Sequence, residues 1–503
     1  MPLPRRSFLA STAAASALFS TGRARAWAPS ADTPTGLDEL AKRFGAKLVQ
    51  PTDATYDHVR RVRNHAFDSV RPAAIVLADS VEDVRDAVQW AAAHDMPIVP
   101  RCGGHSYVGQ STSDGLVVNL QPLAGIDVDT KARTAEVGGG AINIDVNVAL
   151  LQKGVALPTG SCPSVGIAGL TLGGGIGFSG RKWGLMCDNL IGVQMVLASG
   201  KVVEADETAL PELLWACRGG AGGNFGIVTK FRFRVHEVEP VSTYSIKWPW
   251  TAASAVLDAW QRWAPHAPDG LFSVCTLTKN KTTPSIGSHG RFFGTKKELE
   301  ALIEPLLAAA EPRRSRVSAR TLWSGHVTGP KCWPDPNVCH GFNHPQPGRY
   351  KQTSYVVKSD YFNRNLSEEG RDTLIRWIEK GQDQAITWGG VILDSLGGAI
   401  NRVPKHDTAY VHRDSLIQAE YVAHWRTKTK AAKVAANKEW MRQMYDAMRP
   451  HASGECYQNY PDLDLKDWAS AYFGDNLPRL QQCKDIVDPG GLFRGRQILS
   501  PTS

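Results

Sequence analysis

The segment PRCGGHSY, residues 100–107, sets one imidazole, His105, behind a glycine pair and ahead of two hydroxyl side chains. A second segment, GSCPSVGIAGLTLGGGIG, sets one thiol, Cys162, ahead of a glycine-rich run. Imidazole and thiol are side chains that bond covalently to electrophilic centres. Glycine pairs let backbone approach a flat or charged group closely. Successive N–H groups in such loops form concavities for anions. CGGH, GGGIG and RGGAGGNFG are three such loops. Together they ask for a large, flat, diphosphate-bearing ligand, and a flavin dinucleotide meets that description. Its 8α-methyl carbon accepts an imidazole nitrogen, and its ring carbon C6 accepts a thiolate. Without further context His105 reads as a structural histidine and Cys162 as a buried, inert thiol.

The stretch GIGFSG, residues 175–180, matches the G-x-G-x-x-G dinucleotide fingerprint. That fingerprint requires a preceding strand and a helix opening from it. Here RKWG follows, Gly184 interrupts any helix, and no βαβ unit precedes. A Rossmann fold is therefore not expected. The nine cysteines lack the C-x-x-C pairs of a zinc site, and the sequence assigns no metal. CWPDPNVC, residues 332–339, reads either as a small disulfide loop or as two free thiols.

The chain has 503 residues, 42% of them apolar and 21% charged, enough for two or more domains. At the N-terminus Arg5 and Arg6 precede a small-residue apolar stretch, and Ala24-Arg25-Ala26 fits an A-x-A cleavage site. RRSFL resembles a twin-arginine export signal, so a periplasmic or secreted protein is expected. Cleavage after Ala26 would remove four arginines and no acid, lowering the formal charge from +8 to +4. That is too little to argue for nucleic acid or a membrane surface. No later apolar run is long enough to span a bilayer.

The elements that must position these groups follow from periodicity. Residues 80–94 read as a helix, with Ser80 and Asp83 in a capping-box pattern and Val81, Val84, Ala87, Val88 and Ala91 at helical spacing. PIVP reads as a short buried strand that delivers the His105 loop. GLVVNL and TAEVGGGA are further strands, residues 143–152 a helix, and VQMVLASGKVVEA a hairpin turning at Ser199-Gly200. After about residue 239 tryptophan and tyrosine rise and the glycine loops fade. YVVKSDYF and SLIQAEYVAHW read as strands there, TLIRWIEKG and KVAANKEWMRQMYDAM as helices. In SLIQAEYVAHW, alternation puts Leu416, Gln418, Glu420, Val422 and His424 on one face. The fold class is α+β.

RCGGHSY and CPSVGIAG, with GGGIG, WGLMCDNL, LLWACRGGAGGNFGIVT and the tail YQNYPDLDL…YFGDNLPRLQQCKDIVDPGGLF, resemble the berberine bridge enzyme-like flavoproteins in the same order. The resemblance runs from about Tyr56 to the C-terminus, with gaps in the second half. It implies a vanillyl-alcohol-oxidase-type (PCMH-type) FAD-binding domain over residues 37–238, in two subdomains. A second α+β substrate-binding domain on an antiparallel sheet would span 239–455, and residues 456–503 would return to the FAD domain. It implies FAD attached at His105 and Cys162. It assigns the cofactor cradle to Arg101, Cys102, Gly103, Gly104, Ser106, Gly109, Gln110, Val165, Gly166, Gly169, Gly173, Gly175, Gly177, Gly223, Ile227, Val228 and Asn459. Cys102 departs from the serine usual in the family and would compete as a nucleophile if it were a thiolate.

For chemistry, the resemblance points to the YQNY segment, with Tyr460 as first choice of base and Tyr457 assisting or merely packing. A tyrosine base needs its pKa lowered from about 10. Glu420 is the rival, an acid on the strand face that meets the flavin. Val165, three residues past Cys162, resembles the oxidases, in which valine rather than leucine admits O₂. The expectation is an exported FAD-dependent oxidase that takes hydride from an alcohol or hemiacetal carbon and gives H₂O₂. Its small-molecule substrate is a carbohydrate or a glycosylated or polycyclic natural product. With Glu420 as base, an oxidative cyclase or amine-type oxidase is the rival, and a non-catalytic flavin carrier is a third.

Overall fold

The computed structural model describes residues 36–502 apart from 281–282, 328–331, 333–334 and 382–385. The export-signal residues, 1–26, lie outside the described residues. Four short strands form the first sheet, in the order Leu48–Val49, Ala74–Leu77, Leu116–Asn119, Ile98–Arg101. The last three are parallel. The helix Val81–Ala93 joins two of them, and the Ser80 hydroxyl accepts from the Asp83 N–H at 3.2 Å as its N-cap. Its Val84, Ala87, Val88 and Ala91 are buried, the stripe that periodicity required. A second, antiparallel sheet runs Ile126–Asp129, Thr134–Gly138, Ile227–Arg234, Leu190–Val196, Val202–Asp206. The last two strands are the expected hairpin, and Gly200 takes φ 77° at its turn. The helix Asn143–Gln152 stands as the spacing suggested. After GIGFSG the chain makes one turn of helix, Gly180–Trp183, and stops at Gly184, so no dinucleotide-binding βαβ unit forms.

Seven antiparallel strands form the largest sheet, in the order Arg314–Arg320, Val241–Trp248, Thr283–Phe293, Leu271–Asn280, Ile386–Ser395, Ile417–Trp425, Ser354–Phe362. Its two faces go to different partners because side chains alternate along each strand. Leu277, Leu393, Ala419, Tyr421 and Ala423 pack beneath the helices Ala253–Trp263, Glu368–Lys380 and Ala431–Met448. The opposite face, with Phe272, Val274 and Tyr361, meets Ile176, Leu185, Tyr410 and Tyr457. The tail then packs back onto the first half. Leu480 and Cys483 of the helix Leu477–Val487 enter the core that holds Phe231 and Phe233. The fully buried Lys484 ammonium donates to Asp488, Phe493 O and Asn224 O, which pins the tail to the RGGAGGNFG loop. Cys332 and Cys339 form a disulfide, so the first of the two readings holds.

Two buried guanidiniums join the halves. Arg181 donates to the carbonyls of Leu271, Pro265, Leu396 and Ala267. Arg413 pairs with both oxygens of Asp188, at 2.6 and 3.0 Å, and both side chains are buried. Removing one partner of a buried pair strands the other charge. Asp188→Asn is therefore expected to cost about 3–5 kcal/mol in urea unfolding. Glu207→Gln, which loses an exposed pair with Arg218 at 3.3 Å, should stay within about 1 kcal/mol. Equal, small losses in the two variants would show that Arg413 does not depend on Asp188.

Candidate active site

A cavity of about 1000 Å³ lies between the largest sheet and the first half of the chain. That is the upper end of the range for ligand pockets and suits a dinucleotide. The strand Ile98–Arg101 delivers the first loop into it. Arg101 does not enter the cavity itself. Its guanidinium donates to Val59 O at 2.7 Å, Ser111 O at 2.9 Å and Arg60 O at 3.1 Å, and so closes the base of the loop. The loop then runs backbone to backbone against the Cys162 loop. A Cβ on Gly103 would strike the Gly166 nitrogen, and one on Gly166 would strike Cys102 Sγ and the Gly103 nitrogen. Only glycine at both positions allows this approach.

That contact brings the two candidate nucleophiles together. His105 Nε2 lies 3.0 Å from Ser164 Oγ, and Cys162 Sγ lies 3.9 Å from the same oxygen. With Nε2 engaged, Nδ1 is the ring nitrogen left for bond formation. Burial, aided by the nearby Arg63 charge, lowers the His105 pKa to about 3, so the imidazole is neutral. Burial raises the Cys162 pKa, opposed by Ser164 and by Arg63. Cys102 is no competitor. Its thiol donates to Ala141 O at 3.2 Å, and burial pushes its pKa up to about 11.

Cys102, Gly103, Gly104, His105, Ser106, Gly109 and Gln110 line the cavity from the first loop, and Cys162, Val165, Gly166 and Gly169 from the second. Gly223, Val228 and Asn459 complete the set. Among the described residues Ser111 Oγ, Thr112 Oγ1 and Asn143 Oδ1 are buried without a hydrogen-bond partner, and all three residues line the same cavity. Orphaned polar atoms of this kind fit the oxygens and nitrogens of a bound dinucleotide. The residues present therefore fit FAD.

Gly173, Gly175, Gly177 and Ile227 are not brought to the cavity. Gly173 leaves room for the Asn459 side chain, and Gly177 for Thr159 O. Gly175 and Ile176 donate their N–H groups to the Tyr457 hydroxyl at 3.0 and 3.3 Å. Ile227 is fully buried in the core beneath the first sheet. Tyr457 Oη also accepts from Asn459 Nδ2 at 3.1 Å, and burial raises its pKa to about 12. Tyr457 thus lines the cavity but serves as the clamp of the GGGIG loop.

The sheet supplies the opposite wall through Trp388, Ile392, Glu420, Val422 and His424, the alternate residues of two neighbouring strands. Tyr460 reaches the wall from the tail, its N–H donating to Tyr457 O at 2.8 Å, and His412 holds the residues just before it, its ring nitrogens meeting Glu455 at 3.0 Å and Gln458 at 3.2 Å. Tyr107 donates to Glu420 Oε1 at 3.0 Å, and its ring stands edge-on to Tyr460 and Tyr355, each 5.3 Å away. Burial raises the Glu420 pKa to about 7, and the Tyr107 hydrogen bond holds it from rising further. Burial, then the charges of Glu420 and Asp394, push Tyr460 well above its ordinary range. Asp394 is itself raised to about 7, first by burial and then by Glu420. Tyr107, Ser164 and Asp394 are among the site residues that sequence reasoning missed, with Ser111, Thr112, Asn143 and Trp388. Tyr107 was legible as the last residue of the histidine motif, and nothing in the sequence marked Ser164 or Asp394.

Residues 72–206 match the FAD binding domain family, and residues 456–498 match the family described as berberine and berberine like. The chain is 33% identical over 468 residues to the uncharacterized FAD-linked oxidoreductase YgaK of Bacillus subtilis, covering 91% of this chain and 98% of that one. It is 31% identical over 455 residues to the xylooligosaccharide oxidase of Thermothelomyces thermophilus, covering 86% and 87%. Among solved structures, BBE-like 1 of Physcomitrella patens superposes with a TM-score of 0.83 at 30% identity, covering 93% of this chain and 99% of that one.

The Tyr107 hydroxyl stabilises the charged form of Glu420, so removing it must raise the pKa further. Tyr107→Phe is expected to move the Glu420 carboxyl upward by about one unit, the worth of one hydrogen bond to a charge. Infrared titration of the protonated carboxyl band, assigned by its loss in Glu420→Gln, measures the shift. An unmoved or lowered titration would remove Tyr107 from this role.

Proposed function

The chain belongs to the berberine bridge enzyme-like FAD-linked oxidoreductases, and from that premise we propose that it is an exported oxidase of a carbohydrate or a glycosylated or polycyclic natural product. It acts on an alcohol or hemiacetal carbon, with O₂ as acceptor and H₂O₂ as product. The observation that carries this reading is the half-buried Glu420–Tyr107 pair, which faces the His105 and Cys162 loops across one cavity. FAD bound here would supply a two-electron acceptor for the hydride that O₂ can reoxidise. His105 and Cys162 hold it by covalent bonds, and the glycine loops and the orphaned Ser111, Thr112 and Asn143 atoms bind its polar parts.

Glu420 takes the substrate O–H proton. Its raised pKa, about 7, keeps a working fraction of carboxylate at neutral pH and makes it a stronger base than an ordinary carboxylate. Tyr460, with its pKa raised, keeps its proton and donates a hydrogen bond that orients the substrate. Trp388 supplies an aromatic face on which a sugar or a fused ring stacks. Val165 lines the cavity beside the Cys162 loop, small enough to leave O₂ a path. The name of the xylooligosaccharide oxidase relative supports a carbohydrate. The same acid at position 420 also serves a second reading, oxidative ring closure of an amine-bearing metabolite, in which its carboxylate accepts a phenolic or ammonium proton.

One experiment covers these points. Protein from the exported fraction, with its N-terminus at Trp27, is offered mono- and oligosaccharides, glycosides and cyclisable amines, with peroxide detection. A saccharide that releases peroxide upholds the first reading, a ring-closed amine product the second, and no turnover of any class contradicts both. With the active substrate, Glu420→Gln should slow anaerobic flavin reduction by about 10²–10⁴-fold and remove a pH limb near 7. Activity in the wild type should rise as pH climbs through that limb, because the carboxylate is the working form. Tyr460→Phe should cost about tenfold, chiefly through a lost hydrogen bond. The opposite order would return the proton to Tyr460.

A further inference from the structure

A cluster of donors sits outside the cavity, where the chain between the strands Arg314–Arg320 and Ser354–Phe362 crosses the helix Asn143–Gln152. This crossing follows the Cys332–Cys339 disulfide at once, in the sequence HGFNH. His340 is 2% exposed. Its Nδ1 lies 2.8 Å from Gln346 O, and its Nε2 lies 2.9 Å from Asp145 Oδ1. A carbonyl only accepts, so Nδ1 carries the hydrogen. The neutral ring then turns the Nε2 lone pair toward a carboxylate oxygen. Two lone pairs at that distance repel unless a positive charge lies between them. The third group is His344, whose ring centroid is 3.9 Å from that of His340. Its Nδ1 accepts from the Gln346 backbone N–H at 3.1 Å and lies 3.2 Å from Gln346 O. One ligand atom from each of Asp145, His340 and His344 lies within 4.8 Å of the other two.

We propose that Asp145, His340 and His344 bind a divalent first-row metal, with zinc the cation that two imidazoles and one carboxylate fit best. A proton would satisfy His340 and Asp145 alone, whereas a metal ion also uses the second imidazole that His344 brings to the same place. Zinc lies about 2.0–2.2 Å from nitrogen and oxygen ligands, which sets tetrahedral donors roughly 3.3–3.5 Å apart. The three donors reach that spacing with shifts of about an ångström. A backbone carbonyl that holds the far ring nitrogen, as Gln346 O holds His340 Nδ1, is the usual outer support of a metal-bound histidine. Asp335 adds negative charge nearby. Water takes the fourth position.

The site joins two parts that both touch the flavin cradle. On the helix side, Asn143 N donates to Val165 O, Ile144 N to Pro163 O and Asn143 Nδ2 to Cys162 O, each at 2.9 Å. On the other side, Asn343 Nδ2 donates to Arg61 O at 2.8 Å, and Tyr350 lies under the Arg63 guanidinium. A bound metal therefore braces the Cys162 loop from outside.

The test uses flavin-loaded enzyme without a histidine tag, stripped by chelator and titrated with zinc against a fluorescent zinc indicator. The expected result is one saturable equivalent per chain. His344→Ala and Asp145→Asn should each weaken it by more than about tenfold. Zinc should raise the melting temperature of the wild type and not of either variant, and flavin absorbance before zinc addition shows that all three are folded. His344→Ala is the deciding variant because it leaves the His340–Asp145 contact in place. Equal zinc affinity in wild type and His344→Ala, or no saturable binding in the wild type, overturns the proposal and leaves the cluster as an ion pair.

Discussion

The close approach of two glycine loops is the constraint on which the site rests. Gly103 and Gly166 meet with no room for a side chain on either. Everything that could react with a flavin follows from that meeting, since it puts His105 and Cys162 on either side of one hydroxyl, Ser164. The contact is held from below by Arg101, which clasps the carbonyls of Val59, Arg60 and Ser111. It is held from the side by Asn143 and Ile144, whose N–H groups bond Val165 and Pro163. A buried guanidinium saturated by carbonyls is a rigid joint, because each lost bond would strand a charge in apolar surroundings.

The other wall depends on burial rather than on close contact. The strand Ile417–Trp425 turns Ala419, Tyr421 and Ala423 to the helices and Glu420, Val422 and His424 to the cavity. Out of water, carboxylates favour the protonated form, and Glu420 and Asp394 both rise to about 7. The same burial drives Tyr460 the other way from usefulness as a base, since a phenolate beside two acids is costly. One physical cause thus separates the two candidates that residue types alone left open, and it is the ground on which Glu420 is proposed as the base.

Much of the scaffold was legible in the sequence because its signals are local. The Ser80 cap, the spacing of residues 143–152 and the hairpin at Gly200 each depend on neighbours within a few positions. So does the alternation that puts Glu420 on the cavity face. The site was legible where a motif carried it, at His105 and Cys162. It was not legible where contacts are long-range. Tyr107 and Glu420 are 313 residues apart. Asp394 comes near Glu420 through strand pairing with Gln418, not through any local sequence pattern. Glycines deceived for a physical reason. Gly173, Gly175 and Gly177 look like a ligand cradle, yet they make room for Asn459, Met186 and Thr159. A glycine that accommodates protein and one that accommodates a ligand share the same signature. Tyr457 was ambiguous in the same way until its three N–H donors were seen.

The central claim is that two converging loops hold one flavin at two points. Acid precipitation of the purified enzyme, followed by proteolysis and mass measurement, tests it most directly. The account predicts a yellow pellet and a single flavin-bearing species that joins the peptide containing His105 to the peptide containing Cys162. FAD released into the supernatant, or a flavin carried by one of the two peptides alone, would contradict it.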